Sequence, residues 1–150
     1  MDRPLWKCPR CGARLVSKNN WHACGDYSID RFLAGKPARA RKLFGKFVSL
    51  IERCGPYLPA PAKTRVAFMA QVRFASVNRV ADEAIDVHFV LPYALKSARF
   101  RRLEQVGPCT VHHLRLRAPG EMDAELQEWL RESYSVYGQR QWLERAQRSK

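Results

Sequence analysis

The chain has 150 residues, which suits one compact domain with a small metal module but not two full domains. Its 27 Lys and Arg residues against 14 Asp and Glu give a net charge of +13. That imbalance argues against an ordinary cytosolic enzyme and favours an anionic partner: nucleic acid first, then a membrane surface or an acidic protein. No apolar run approaches membrane-spanning length, and the first residues do not resemble a signal peptide. We therefore expect a cytoplasmic protein that does not enter a membrane.

Residues 1–27 are predicted to form a zinc-knuckle module. Cys8 and Cys11 belong to a C-x₂-C turn, and His22 and Cys24 follow in an H-x-C turn. Four donors of these types at this spacing fit one tetrahedral Zn²⁺. Because they would fill every coordination position, the predicted zinc is structural rather than catalytic. Buried reduced thiols are the alternative interpretation, and a disulfide is favoured less.

Two helices are predicted next. Ser28 can cap a short helix that ends at Gly35, and Pro37 can open a longer helix that Gly55-Pro56 stops. In the longer helix, Leu43, Phe47, Leu50 and Cys54 share an apolar face. The opposite side carries a basic stripe, interpreted either as a solvated face or as a binding surface: Arg39, Lys42, Lys46 and Arg53.

A sheet is predicted for the second half of the chain. After a Pro-rich link over 56–61, alternating patterns indicate strands over 64–70, 72–77, 85–91, 102–106 and 109–117. The last two would form a hairpin around Gly107-Pro108. Residues 78–83 are predicted as a turn and 93–99 as a short helix. A final helix would run from Met122 to Gly138, before a basic tail over 139–150.

The predicted fold class is therefore α+β, with a mostly antiparallel sheet packed by an N-terminal and a C-terminal helix in a body over 28–138. The shared core should contain Leu43, Phe47, Leu50, Phe68, Phe74, Phe89, Leu114, Leu116, Leu126 and Trp129. The other face of the sheet should collect Arg65, Arg73, His88, His113, Arg115 and Arg117. A register slip of one residue would reverse this assignment.

The function favoured by these patterns is nucleic-acid binding through phosphate contacts. The candidate contact residues are Arg39, Lys42, Lys46, Lys63, Arg65, Arg73, His113, Arg115 and Arg117. Lys63 and Arg65 could also clamp a single phosphate or carboxylate, or simply be charges at a strand edge. No established nucleic-acid-binding motif is present, so a ligand- or protein-binding adaptor whose charge confers solubility is the alternative.

An enzyme is the third hypothesis. Asp86, His88, His112 and His113 are the titratable residues that a sheet could gather, and an Asp–His pair could serve as acid and base. No nucleophile elbow or two-metal carboxylate set accompanies them. The sequence therefore favours a binding module over an enzyme and leaves catalysis open.

Several segments, in order, resemble an uncharacterised bacterial family of domains of unknown function, number 5655. They include Trp6–Gly12, Trp21–Gly25, Phe32–Lys36, Lys63–Phe68, Val72–Ala75, Asp86–Phe89, Val111–Leu116 and Glu128–Glu132. The resemblance implies a zinc-finger-like start and an α+β body, without an established activity. Related domains carry a transport label, which nothing in this sequence supports, and some are fused to nuclease-like domains, which favours nucleic acid.

Overall fold

The computed structural model describes residues 28–62 and 64–139, together with the paths of two short strands, β1 (Trp6–Lys7) and β2 (Arg14–Leu15). The predicted zinc ligands, Lys63 and residues 140–150 lie outside the described residues. The helices are α1 (Ile29–Leu33), α2 (Ala38–Glu52) and α3 (Ala124–Glu132), with a 3-10 turn (Pro119–Glu121) before α3 and a π-helical turn (Ser133–Gly138) after it. The remaining strands are β3 (Leu58–Pro61), β4 (Val66–Met69), β5 (Arg73–Val80), β6 (Ile85–Leu91), β7 (Arg102–Val106) and β8 (Cys109–Leu116).

The α+β class and the antiparallel sheet are confirmed. Six strands pair antiparallel in the order β3-β4-β5-β6-β8-β7. Because β8 lies between β6 and β7, the connection over 92–101 must cross β8 to reach the far edge. Its Phe100 ring lies 5.0 Å from the ring of His112 on β8, so the crossing runs over the face that α2 and α3 also cover.

The helices begin and end close to where local chemistry predicts. The Ser28 side chain accepts a hydrogen bond from the Arg31 amide, and Gly35 follows α1 with φ of +76°, which glycine adopts without a side-chain clash. In α2, Pro37 is the capping residue rather than the first helical one. Leu43, Phe47 and Leu50 are buried against the sheet, and Cys54 packs half-buried beside them, as predicted.

One core joins the helices to one face of the sheet. Val87 opposes Val77 on one side and Leu114 on the other, and Phe89 opposes Ala75 and His112. All ten predicted core residues belong to this cluster, nine of them buried and Trp129 partly buried. The period-2 alternation of β6 and β8 therefore identified the buried face correctly.

Three predicted boundaries were wrong. Residues 93–99 contain no helix. The Phe100 ring and the Leu95 amide both contact His112, so this crossing segment is held by β8 and not by hydrogen bonds within a helix. The Pro-rich link contains β3, since prolines are tolerated on the outermost strand of a sheet. Strand β5 continues through 78–80, where an irregularity in its pairing with β6 lets polar residues extend the strand.

Another bulge changes the face assignment within β5. Met69 pairs with Arg73 and Phe68 with Ala75, so Phe74 is the extra residue. Ala75, not Phe74, stands in register with Phe68 and Phe89 on the helix-covered side, contrary to the simple alternation over 72–77. The Phe74 ring is nonetheless fully buried and packs edge-on against Tyr134 at 5.3 Å.

Candidate functional site

The sheet face opposite the helices carries a row of polar side chains, which we call the polar face. His88 on β6 opposes Ser76 on β5 and His113 on β8, and His113 opposes Arg102 on β7. The neighbouring row places Asp86 between Arg79 and Arg115. This arrangement confirms that His88, His113 and Arg115 share a face, because successive strand residues point to opposite sides.

A histidine–carboxylate pair stands at the edge of the polar face. His113 Nε2 lies 3.0 Å from Glu104 Oε1 on β7, and the carboxylate accepts the hydrogen bond. This contact is the main cause of the lowered pKa of Glu104. It also leaves Nδ1 as the acceptor atom of a neutral His113 ring.

A bidentate ion pair lies beside it. Arg115 Nε and Nη2 donate to Asp86 Oδ1 and Oδ2 at 2.7 and 3.2 Å, and Arg101 Nη1 approaches Oδ1 to 3.7 Å. The hydrogen bonds from Arg115 lower the pKa of Asp86. Because Asp86 is thereby held ionised, it does not serve as an acid at neutral pH, and Arg115 is already committed to a partner.

His88 is the most perturbed histidine of this face. Its Nδ1 lies 2.6 Å from Asn78 Nδ2, which donates, and Asn78 Oδ1 lies 3.0 Å from Ser76 Oγ. Burial, followed by the nearby charges of His113 and Arg65, lowers the pKa of His88 to about 4. The ring is therefore neutral at pH 7 and acts as an acceptor within a hydrogen-bonded chain.

A cavity of about 270 Å³ opens between these groups. Its lining residues are Asp86, Val87, Arg101, Arg102, His113 and Leu114. The side chains of Arg101 and Arg102 are 52% and 66% exposed, and their guanidinium groups lie 3.7 Å from Asp86 and 3.4 Å from Glu104. Such an opening can accept a small anionic group held by guanidinium groups.

The predicted four-residue catalytic cluster is not brought together. His112 faces the core: it is fully buried, stacks on Phe89 at 4.8 Å, and accepts a hydrogen bond from the Leu95 amide through Nε2 at 3.0 Å. Burial lowers its pKa. Asp86, His88 and His113 share the polar face. His112 is separated from them because it precedes His113 directly on β8, and consecutive strand residues point to opposite sides.

The basic stripe lies along the solvent side of α2. Arg39, Lys42, Lys46 and Arg53 are all exposed, and Arg39 Nη2 donates to the Arg117 carbonyl at 3.2 Å. Lys42, Lys46 and Arg53 form no ion pair within residues 28–62 and 64–139. The stripe therefore presents charge that its described surroundings do not neutralise.

Acidic residues are concentrated elsewhere, around α3. Between residues 36 and 53 there are six cations and one carboxylate, whereas residues 121–132 contain five carboxylates and one cation. Two of those carboxylates, Asp123 and Glu125, bind Arg99 at 3.0 Å each. The helical layer is thus divided into a basic and an acidic side.

The remaining predicted contact residues occupy different settings. Arg73 is half-buried, and this burial, followed by the nearby charge of Arg65, lowers its pKa. Arg117 follows β8, and its amide donates to Glu121 Oε1 at 2.7 Å. A second cavity, of about 430 Å³, is lined in part by Lys36, Thr64, Arg79 and Asp82. Thr64 directly follows the predicted contact residue Lys63 in the sequence.

Two of the predicted zinc ligands lie, in the sequence, between the strands β1 and β2. Trp6 pairs with Leu15 and Lys7 with Arg14 in an antiparallel ladder, and Cys8 and Cys11 fall in the segment that connects the two strands. Within the part of the chain that the structure describes, no three His, Cys, Asp or Glu side chains are grouped as metal ligands.

Sequence patterns missed Glu104, Asn78, Arg101 and Arg102. Glu104 was assigned only to a strand, and its contact with His113 depends on the hairpin register. The alternation of 102–106 with a two-residue turn at 107–108 could have paired Glu104 with Val111 and thus placed it diagonally opposite His113. Asn78 was missed because the end of β5 was assigned to a turn.

The described residues include no helix long and apolar enough to cross a bilayer. No curated protein and no solved structure matches the chain significantly. A family model, the domain of unknown function DUF5655, matches residues 29–136, which include α1, α2, the six-stranded sheet and α3. The chain therefore belongs to the DUF5655 family.

Proposed function

We propose that the chain is a zinc-stabilised, basic binding module that binds nucleic acid through phosphate contacts. The observation that carries this proposal is the exposed stripe on α2, whose Lys42, Lys46 and Arg53 have no ion-pair partner among the described residues. If the surface charge served solubility alone, a helix face with positive and negative residues intermixed would be sufficient. The separation of basic α2 from acidic α3 instead favours a directed interaction with an anion.

The spacing of the stripe suits an extended polyanion. Residues 39, 42, 46 and 53 recur at intervals of three, four and seven, so they follow one side of a helix. At 1.5 Å per residue they span about 21 Å, the length of roughly six phosphate steps at 3.4 Å along one strand. Such a row can contact several successive phosphates at once.

The polar face offers a second contact region. Arg101 and Arg102 are exposed beside the 270 Å³ cavity, and their carboxylate contacts, at 3.7 Å to Asp86 and 3.4 Å to Glu104, are longer than the 2.7 Å contact of Arg115 with Asp86. The described strand positions of this face contain no Phe, Tyr or Trp side chain on which bases could stack. Binding led by phosphates, with little preference for sequence, is therefore what we expect.

The zinc proposal concerns Cys8, Cys11, His22 and Cys24. Cys8 and Cys11 fall in the sequence between the paired strands β1 and β2, and their C-x₂-C spacing suits two ligands of one Zn²⁺. Two-residue strands bury little surface, so the ion would supply most of the stability of this segment. Thiols kept reduced for a metal would accord with the predicted cytoplasmic location.

Nucleic-acid binding can be tested by salt titration against single- and double-stranded DNA and RNA. The variant Lys42→Gln/Lys46→Gln removes two unpaired cations, and we expect the slope of log affinity against log salt to decrease by about two. A matched control is Lys96→Glu, which lowers the net charge by the same amount at an exposed position outside the stripe. The control should change the slope much less.

Two results would contradict this proposal. If the wild-type protein binds none of the four nucleic acids at low salt, the adaptor hypothesis replaces it. If Lys42→Gln/Lys46→Gln and Lys96→Glu reduce affinity equally, net charge accounts for binding and the stripe has no special role.

Metal content tests the zinc proposal separately. Protein purified without added zinc should contain about one equivalent, and Cys11→Ser should lose it while the body keeps its own cooperative unfolding transition. Elemental analysis and circular dichroism measure the two results. A wild-type protein with intact cysteines and no bound metal would refute the zinc assignment.

A further inference from the structure

The two edges of the six-stranded sheet differ in how they meet solvent. The β3 edge contains Pro59 and Pro61, which lack the amide hydrogen that another strand would need. The β7 edge contains no proline, all five of its residues are exposed, and Leu103 and Val106 are 45% and 53% exposed. Only the first edge is protected by proline against pairing with another strand.

The backbone of β7 has free pairing capacity at alternate residues. The Arg101 amide donates to the His113 carbonyl at 2.8 Å, so the backbone carbonyl of His113 points towards β7. Arg102 lies opposite His113 in the ladder, so the backbone groups of Arg102, Glu104 and Val106 point inward, towards β8. By antiparallel alternation, the N–H and C=O groups of Leu103 and Gln105 point away from the sheet. They are available to a strand added at this edge.

Charge then selects one register for a second copy of the same chain. Within one chain, Arg102 Nη2 already lies 3.4 Å from Glu104 Oε1, and both side chains remain exposed. Antiparallel pairing about a twofold axis at Leu103 opposes Leu103 to its counterpart, and Arg102 to Glu104 of the other copy, twice. An axis at Glu104 would oppose two like charges, and an axis at Gln105 would oppose Glu104 to Val106. The first register alone combines outward backbone groups with opposite charges.

We propose that the chain forms a homodimer through antiparallel pairing of β7 strands, centred on Leu103. The two six-stranded sheets become one sheet of twelve strands, with the polar faces of both copies on the same side. Each cavity beside Arg102 and His113 then adjoins its counterpart across the axis, so the proposed phosphate-contacting surface is extended. The dimer does not depend on nucleic-acid binding, since its contacts lie at the edge of the sheet.

The interface is small, so the dimer should be weak and depend on concentration. Sedimentation equilibrium of the full chain up to about 0.5 mM, without nucleic acid, should show a monomer–dimer equilibrium. Arg102→Glu creates two like-charge pairs in the proposed register and should weaken the dimer by about tenfold or more. Glu104→Arg should do the same.

A charge exchange makes the test specific to the register. Arg102→Glu/Glu104→Arg restores opposite charges and should restore the dimer. An equimolar mixture of the two single variants should form a heterodimer, because each charge again faces its opposite. Circular dichroism confirms that each variant is folded, and the Lys96→Glu variant controls for net charge.

Hydrogen exchange supplies a second, backbone-level measurement. The Leu103 amide should become protected as concentration rises, while the amides of β3 should not change. Three results would overturn the proposal: a wild-type protein that stays monomeric, a dimer that Arg102→Glu leaves intact, or single variants that fail to associate when mixed.

Discussion

His112 and His113 are consecutive residues with the same side chain, yet they lie on opposite faces of the sheet in different chemical settings. His112 is sealed between Phe89 and Phe100 and accepts a hydrogen bond from a backbone amide. His113 borders a cavity and hydrogen-bonds to Glu104. The comparison teaches that the face of a strand, rather than the residue type, decides whether a histidine contributes to the core or to a surface that can bind ligands.

The same division extends through the sheet. On the covered face, Val87, Phe89 and Leu114 pack with two helices and the crossing segment. On the polar face, Arg115 donates to Asp86, and Asn78 donates to His88. Apolar burial therefore stabilises one side, while charge and hydrogen bonding organise the other.

Replacing Phe89 should break this comparison most strongly. Phe89→Ala removes a fully buried ring that contacts His112, Phe100 and Trp129, and should lower the free energy of unfolding by about 3–5 kcal/mol. Val90→Ala, one residue away on the polar face and only half-buried, should lower it by about 1 kcal/mol or less. Urea unfolding measures both values, and equal losses would show that the two faces do not differ as described.

Acid should weaken the fold through His88. The pKa of His88 is about 4 in the fold, because burial disfavours the charged ring, against about 6.5 in the unfolded chain. The unfolded protein therefore binds more protons between these values. Stability is fully present above about pH 6.5 and is lost as the pH falls towards 4, by an amount on the order of 3 kcal/mol.

The variant His88→Gln isolates this contribution. Its side-chain oxygen can still accept the hydrogen bond from Asn78, but it does not titrate. Urea unfolding at pH 7 and pH 5 should show a smaller loss of stability in the variant than in the wild type. Some dependence should remain, since burial also lowers the pKa of His112. An unchanged dependence would mean that His88 is hydrated in the native protein.

The ion pair on the polar face should have the smallest of these effects. Asp86→Asn removes the charge that Arg115 and Arg101 share, while the amide keeps its shape, and should cost about 1–2 kcal/mol. Asp82→Asn, in the exposed turn after β5, should change stability by less than about 0.5 kcal/mol. Thermal unfolding of both variants compares them, and equal effects would place Asp86 among weak surface charges.

Much of the fold was predictable because it follows short-range periodicity. Alternation placed Phe89, Leu114 and Leu116 in the core, and helical spacing placed Leu43, Phe47 and Leu50 opposite the basic stripe. Predictions failed where long-range contacts override local preference. Residues 93–99 cross the sheet instead of forming a helix, and the bulge at Phe74 shifts Ala75 onto the covered face.

The candidate site was predictable only in part. The sequence alone determined the high positive charge, the α+β class, the stripe on α2 and the opposite facing of His112 and His113, since these depend on composition and on periods of two or 3.6 residues. Tertiary structure alone decided that Glu104 meets His113, that Arg115 is committed to Asp86 and that β7 is the unprotected edge. Strand order and register determine those contacts, and both depend on pairing between segments distant along the chain, which no local pattern encodes.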